Sequence, residues 1–229
     1  MTSRHNCDNP GCYQSTIMAA THDNSSVVLQ GIARHINCLG EENRNTRKNA
    51  LLGIQKDTIK KKPPLDSANL QHVFSELIKP LLKSFSDSVE KCRELSIEMV
   101  LAFMKEVPQS ENQLAYIFPV LVQRLGQQEI TEPAEELRLL LVELIKFMIE
   151  SFKKSIGMYT DDCVKILQRT IVDPYSEVRK ESCKCASLLA EFAPQHFYMQ
   201  SESLVKPLLV SLTHQHSKVR TIVVQTLGN

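Results

Sequence analysis

A few cysteine and histidine residues have the types and spacing that metal binding or thiol chemistry would need. His5, Cys7 and Cys12 lie close together, as one half of a zinc site would. A closed zinc site needs four ligands, and no second pair of the CxxC kind follows, so we expect no metal there. Cys183 and His196 have the types of a thiol and its base, but nothing in the sequence places them together. These residues therefore predict neither a cofactor nor a catalytic centre.

Other signatures of an active site are missing as well. His214 and His216 fall in a predicted connection between helices, where two histidines without further ligands indicate a solvated turn. The sequence has no glycine-rich phosphate loop, no HExxH zinc helix and no GxSxG nucleophile turn. We therefore expect a protein that is not an enzyme.

Charge and cysteine content narrow the class of protein. The formal net charge of +1 gives no reason to expect nucleic acid or a membrane as a partner. The seven cysteines are scattered, which favours reduced thiols and an intracellular location. A short run, Lys60 to Lys62, suits the end of a helix; the alternative is a nuclear import signal.

Five arginines recur at a regular spacing, each near the predicted start of a helix and most directly after an apolar residue. They are Arg47, Arg93, Arg138, Arg179 and Arg220, at intervals of 46, 45, 41 and 41 residues. Asp87 and Asp173 each lie six residues before one of them. We interpret this pattern as a structural ladder between successive repeats. Glu41 and Glu132 could replace the aspartate elsewhere, while His214 departs from the pattern and predicts a broken last rung.

Apolar residues recur along the chain at three-and-four spacing and never in sustained alternation, which predicts helices rather than strands. We therefore expect these arginines to lie on helices. The pattern predicts ten helices. The sixth, Pro133 to Lys154, is the central one, and Pro133 takes its first helical position. Pro80, Pro119 and Pro207 fall inside the first helix of a pair, which predicts a shared bend.

The period identifies the fold class. Two helices in every forty-odd residues are typical of HEAT and armadillo repeats, whereas tetratricopeptide repeats recur at about 34 residues. We therefore predict an all-α solenoid of about five HEAT-type hairpins over residues 25–229, with an armadillo-like superhelix. Residues 1–24 are polar and aperiodic, which predicts disorder, and the last helix is expected to be truncated.

One predicted connection between helices carries two aromatic residues and a methionine. It runs from Pro194 to Ser203 and contains Phe197, Tyr198 and Met199. Aromatic residues and methionine are enriched at interfaces, so these three are a possible partner contact; the alternative is packing under the stack.

Two stretches carry a more specific resemblance. One runs from Asp173 to Ala186, and the other from His196 to Arg220. Together they resemble the N-terminal portion of the HEAT-repeat dynein axonemal assembly factors, also called the HEAT repeat-containing protein two family. The resemblance is close from about Glu135, looser over 25–128, and absent before that. This family's proteins are several times longer.

The resemblance implies a cytoplasmic, non-enzymatic factor that helps to preassemble the dynein arms of motile cilia. The implied partners are axonemal dynein intermediate and heavy chains and their chaperone-type assembly factors. The resemblance brings no catalytic residues. HEAT repeats and the lysine run also leave open an importin-type nuclear-transport adaptor, and a HEAT-type phosphatase scaffold is a third possibility.

Overall fold

The computed structural model describes residues 25–228, and over that range it is a stack of helical hairpins without a strand. The prediction of an all-α solenoid is confirmed. The predictions made for residues 1–24, disorder and the grouping of His5, Cys7 and Cys12, lie outside the described residues.

Five consecutive hairpins, α1–α2 to α9–α10, make up the described chain. The helices are α1 (25–38), α2 (Arg44–Asp57), α3 (Ser67–Ser84), α4 (Glu90–Glu106), α5 (Leu114–Leu125), α6 (Glu135–Phe152), α7 (Thr160–Thr170), α8 (Ser176–Phe192), α9 (Pro194–Ser211) and α10 (Ser217–Leu227). Two short 3₁₀ segments, Ser110–Gln113 and Lys153–Tyr159, precede α5 and α7.

The hairpins stack so that their helices form two layers. The second helices pack in chain order, α2 on α4, α4 on α6, α6 on α8 and α8 on α10. The first helices do the same, α3 on α5, α5 on α7 and α7 on α9. The extensive contacts thus join neighbouring hairpins, which is the arrangement of a solenoid.

The core between the layers is continuous because each helix turns an apolar stripe inward. In α6 the stripe includes Leu141, Leu144 and Ile145, all fully buried. Stacked aromatic rings join neighbouring elements, with centroids 4.7 Å apart for Phe74 and Phe103. No described helix combines the length and apolar character that crossing a membrane requires.

The three predicted mid-helix prolines lie where the sequence placed them. Pro80 is inside α3, Pro119 inside α5 and Pro207 inside α9. Each is in the first helix of its hairpin, so three hairpins share the position at which a backbone donor is missing.

Three predicted boundaries were wrong. The central helix begins at Glu135 rather than at Pro133, because an extended Ala134 follows a turn held by Glu132. It ends at Phe152, where Lys153 adopts a φ of 42°. The predicted connection from Pro194 to Ser203 is helical: Pro194 is the first residue of α9, a position where its missing N–H costs nothing.

Candidate functional site

The five recurrent arginines are hydrogen-bonded to the turns that precede them. Each guanidinium donates a hydrogen bond to the backbone carbonyl six residues earlier in the chain. The accepting carbonyls belong to Glu41, Asp87, Glu132, Asp173 and His214 in turn. Each arginine is therefore held at the start of a second helix, with part of its guanidinium aimed at the next hairpin.

Two of these arginines reach the aspartates that the sequence singled out, in the following hairpin. Arg47 Nε lies 2.6 Å from Asp87 Oδ2, and Arg47 Nη2 lies 2.8 Å from Asp87 Oδ1. Arg138 makes the same forked contact with Asp173, at 2.7 and 2.9 Å. The carboxylate of Asp173 is fully buried. Such bidentate pairs fix the orientation of both partners, so each rung sets the register of two hairpins.

Glu132 forms a rung of a different kind, because two arginines converge on it. Arg93 donates to both carboxylate oxygens from Nε and Nη2, at 2.8 Å each. Arg124, at the end of α5, donates from Nη2 at 2.5 Å. The sequence indicated Glu132 as a replacement for aspartate but gave no indication of Arg124. Its position as a basic residue in the last turn of α5 was the one feature of the sequence that could have pointed to Arg124.

The same carboxylates also organise the helix that follows each of them. Asp87 Oδ1 accepts a hydrogen bond from the N–H of Val89, and Asp173 Oδ1 accepts one from Tyr175, both at 2.8 Å. Glu132 accepts one from Ala134 at 3.1 Å. One acid therefore satisfies a backbone donor at the start of its own helix and binds the arginine of the preceding repeat.

Burial and hydrogen bonding compete in setting the pKa of these acids. Burial opposes ionisation of Asp87, but hydrogen bonds from Arg47 and Val89 outweigh it, so its pKa lies below the ordinary value. Burial of Glu132 is likewise outweighed by Arg93 and Arg124, and its pKa is also lowered. The hydrogen bond to Asp173 raises the pKa of Arg138. Asp87, Glu132 and Arg138 are therefore charged at neutral pH.

The last repeat replaces the carboxylate by histidine. Arg179 donates from Nη1 to Ser211 Oγ at 3.1 Å, and Ser211 donates in turn to the carbonyl of Ile171 at 2.6 Å. Burial lowers the pKa of Arg179. His214 Nδ1 accepts from the N–H of His216 at 3.1 Å, which preserves the helix-start contact. Burial, together with Arg179 and other nearby cations, lowers the pKa of His214. Within the described residues, Arg220 bonds only to the carbonyls of its own turn.

The donors of the ladder arginines are occupied by bonds within and between hairpins. Arg93 and Arg138 are buried, and their donors face carboxylates and carbonyls of the chain itself. They have little capacity left for a phosphate or a substrate.

The possible partner-contact residues border one groove but differ in exposure. Phe197 is half-buried and packs on the core, whereas Tyr198 and Met199 are 80 % and 77 % exposed. Because α9 is a helix here, Phe197 faces inward and the two following residues face outward.

The structure also gives the surroundings of Cys183 and His196, the candidates for a thiol and its base. Burial raises the pKa of Cys183 to about 11, which keeps the thiol protonated at neutral pH. The ring of His196 lies against Gly157, so close that a Cβ there would be 2.9 Å from its Nδ1. Over residues 25–228, no group of three or more potential ligands is placed to hold a metal ion.

Solved structures similar to this chain are repeat solenoids. A designed armadillo repeat protein in complex with the peptide (KR)4 covers 96 % of this chain with a TM-score of 0.60 and 14 % identity. Another designed armadillo repeat protein covers 96 % with a TM-score of 0.57 and 14 % identity. At that level of identity the likeness shows the fold alone.

Sequence comparison gives the family. The profile of a family described as "Dynein axonemal assembly factor 5-like, TPR repeats" matches residues 38–229. That description names TPR repeats, which recur at about 34 residues. The arginines here recur at 41 to 46 residues, as HEAT repeats do.

Three curated relatives carry the same name, "Dynein axonemal assembly factor 5". The protein from Xenopus laevis is 52 % identical over 204 residues, covering 89 % of this chain and 24 % of the relative. Those from Mus musculus and Homo sapiens are 34 % and 31 % identical, covering 88 % and 87 % of this chain and 24 % of each relative. The chain thus spans about a quarter of the length of these relatives. It belongs to the dynein axonemal assembly factor 5-like family of helical-repeat proteins.

Proposed function

We propose that this protein is a non-enzymatic scaffold that acts in the cytoplasm during preassembly of axonemal dynein arms. In this role the solenoid surface holds dynein intermediate or heavy chains, together with chaperone-type factors, before the arms enter the cilium. The observation that carries the proposal is the family match over residues 38–229, together with 52 % identity to an assembly factor from Xenopus laevis.

The geometry supports a role in binding rather than catalysis. Stacked hairpins expose long helix faces on both layers, and solenoids use such extended surfaces to bind partners. The conspicuous buried ions, such as Arg138 and Asp173, are bonded to each other and keep neighbouring hairpins in register. A rigid, regular surface suits a scaffold, because little ordering is needed when the partner binds.

Affinity purification of the tagged protein from ciliating cells tests the proposal. We expect dynein intermediate or heavy chains and their chaperones to be enriched in the bound fraction. Ran or nucleoporins in their place would support the importin-type alternative, and phosphatase subunits would support a phosphatase scaffold. If neither dynein chains nor their chaperones are enriched, the proposal fails.

A matched pair of variants separates surface effects from loss of the fold. Tyr198→Ala and Met199→Ala remove exposed side chains and are expected to leave the thermal melt unchanged. Reduced recovery of dynein chains with these variants would assign the contact to α9. Leu209→Ala, on the exposed part of the same helix, serves as a control for truncation alone.

A further inference from the structure

Equivalent positions on the second helices form three neighbouring rows of exposed and half-buried side chains. The ladder arginines align the helices, so that Arg44 corresponds to Glu90 in α4 and Glu135 in α6. Counting every fourth residue from these positions follows one face of each helix. These rows therefore lie side by side on the outer surface of the second-helix layer.

The row on α2 is basic. It consists of Arg44, Lys48, Leu52 and Lys56, all exposed. Leu52 is 40 % exposed, so the row combines three cations with one apolar side chain. Among the contacts of the described residues, none of the three cations forms an ion pair, although the acidic helix α4 is the neighbour in the stack.

The rows on α4 and α6 are acidic and border a groove. The groove has a volume of about 330 Å³ and is lined by glutamates of both helices and by three leucines of α6. The leucines are Leu137, Leu139 and Leu140, of which the last two are half-buried. The groove therefore offers apolar contact between two acidic walls.

The charge of this groove is only partly balanced within the molecule. Five glutamates line it: Glu90, Glu94, Glu98, Glu136 and Glu143. In the part of the chain that the structure describes, only Glu94 forms an ion pair, with Lys91 at 2.7 Å. The excess negative charge thus faces solvent along the groove.

In another helix of the same layer, α8, acidic and basic side chains form ion pairs with each other and with α6. In α8, Glu177 pairs with Lys180 at 2.6 Å, and Glu181 pairs with both Lys184 and Lys146. In α2, α4 and α6, by contrast, the three cations of the basic row and four of the five groove glutamates have no ion pair among the described residues. An acidic groove beside a basic row on one face is self-complementary, because a two-fold axis places each opposite the other in a second copy.

We propose that this face is a self-association surface in which α2 of each copy occupies the α4–α6 groove of the other. Leu52 contacts Leu139 and Leu140, while Lys48 and Lys56 lie between the two walls of glutamates. The contact is made twice, so the assembly closes as a dimer. Charge complementarity selects the orientation, and the apolar centre excludes water. The inference is independent of whether the protein binds dynein chains.

Sedimentation velocity of the purified 229-residue chain over a range of concentration and salt tests this. We expect a monomer–dimer equilibrium that weakens as salt rises, because the attraction is between exposed charges. Glu98→Lys with Glu143→Lys should weaken dimerisation about tenfold or more, and Lys48→Glu with Lys56→Glu should do the same.

Mixing the two charge-reversed proteins is the decisive arm. Each variant alone carries charges of the same sign in its row and its groove, so its copies repel one another. In the mixture, each row faces a groove of opposite charge, which restores both contacts in a heterodimer. Recovery of dimer in the mixture also shows that both variants are folded. Glu111→Lys with Glu129→Lys makes the same charge change away from this face and should leave dimerisation unchanged.

Three results would overturn the inference. One is a monomer at every concentration in low salt. A second is a mixture of the reversed variants that stays monomeric. The third is association that survives both reversals and strengthens with salt, which would place the contact on an apolar surface such as the exposed Leu209 and Val210 of α9.

Discussion

Removing the buried rung between α6 and the turn before α8 should strongly destabilise the protein. Arg138→Ala leaves the Asp173 carboxylate, which is fully buried, with a hydrogen bond only from the N–H of Tyr175. Breaking a buried pair by removing one partner costs about 3–5 kcal/mol in the free energy of unfolding. For a chain of this size, 1 kcal/mol corresponds to about 2–4 °C, so the melting temperature should fall by about 6–20 °C.

A double-mutant cycle separates the rung from general loss of packing. The chain offers a matched control, because Lys146 and Glu181 also join α6 to the α8 hairpin across 35 residues, as Arg138 and Asp173 do. The control pair is partly exposed, at 30 % and 16 % of the side chains. Exposed pairs have coupling energies of about 0.2–1 kcal/mol, whereas the buried pair should exceed about 2 kcal/mol.

Urea unfolding followed by circular dichroism gives the four free energies of each cycle, and amide hydrogen exchange locates the opening. Because stacked repeats can unfold in sections, exchange is needed to show that the loss centres on α5–α8. Equal coupling energies for the two pairs, or an unchanged melt for Arg138→Ala, would refute the view that the ladder holds the hairpins in register.

Three further perturbations test other parts of the fold. Leu144→Asp places an unpaired charge in the fully buried centre of α6 and should destabilise the protein by several kcal/mol, measured by thermal melting; an unchanged melt would mean that the core is misplaced. His214→Asp should give Arg179 a carboxylate at the 35-residue separation of the preceding rung and stabilise by about 1.5–3 kcal/mol in urea unfolding; a loss of stability would contradict this. The pKa values of Asp87 and Glu132 are lowered from 3.8 and 4.5, so the stabilisation that their ionised forms give is present above those values and is lost as pH falls through the native pKa values. Acid titration of Glu132→Gln should therefore show a weaker pH dependence of the free energy of unfolding. An unchanged pH dependence would contradict this.

The repeated arginines made the hairpin arrangement predictable from sequence. Their spacing fixed the period, and three-and-four apolar spacing fixed the helix type, because both are local properties of the chain. Asp87 and Asp173 were visible for the same reason, since they recur at a fixed distance before an arginine.

Features that depend on the packed structure were not predictable. Arg124 meets Glu132 only because the end of α5 and the following turn fold together. Pro194 was interpreted as the start of a connection, but proline also takes the first position of a helix, and only Ala193 separates α8 from α9. Which of Phe197 and Tyr198 faces solvent follows from that helix and could not be inferred from a predicted connection.

The central claim, that this repeat solenoid serves dynein-arm assembly, is tested most directly in ciliating cells from which the protein has been removed. Electron microscopy of axoneme cross-sections would count outer and inner arms with and without the re-expressed protein. We expect the arms to be missing in the depleted cells and to return on re-expression. A full complement of dynein arms in cells that lack the protein would contradict it.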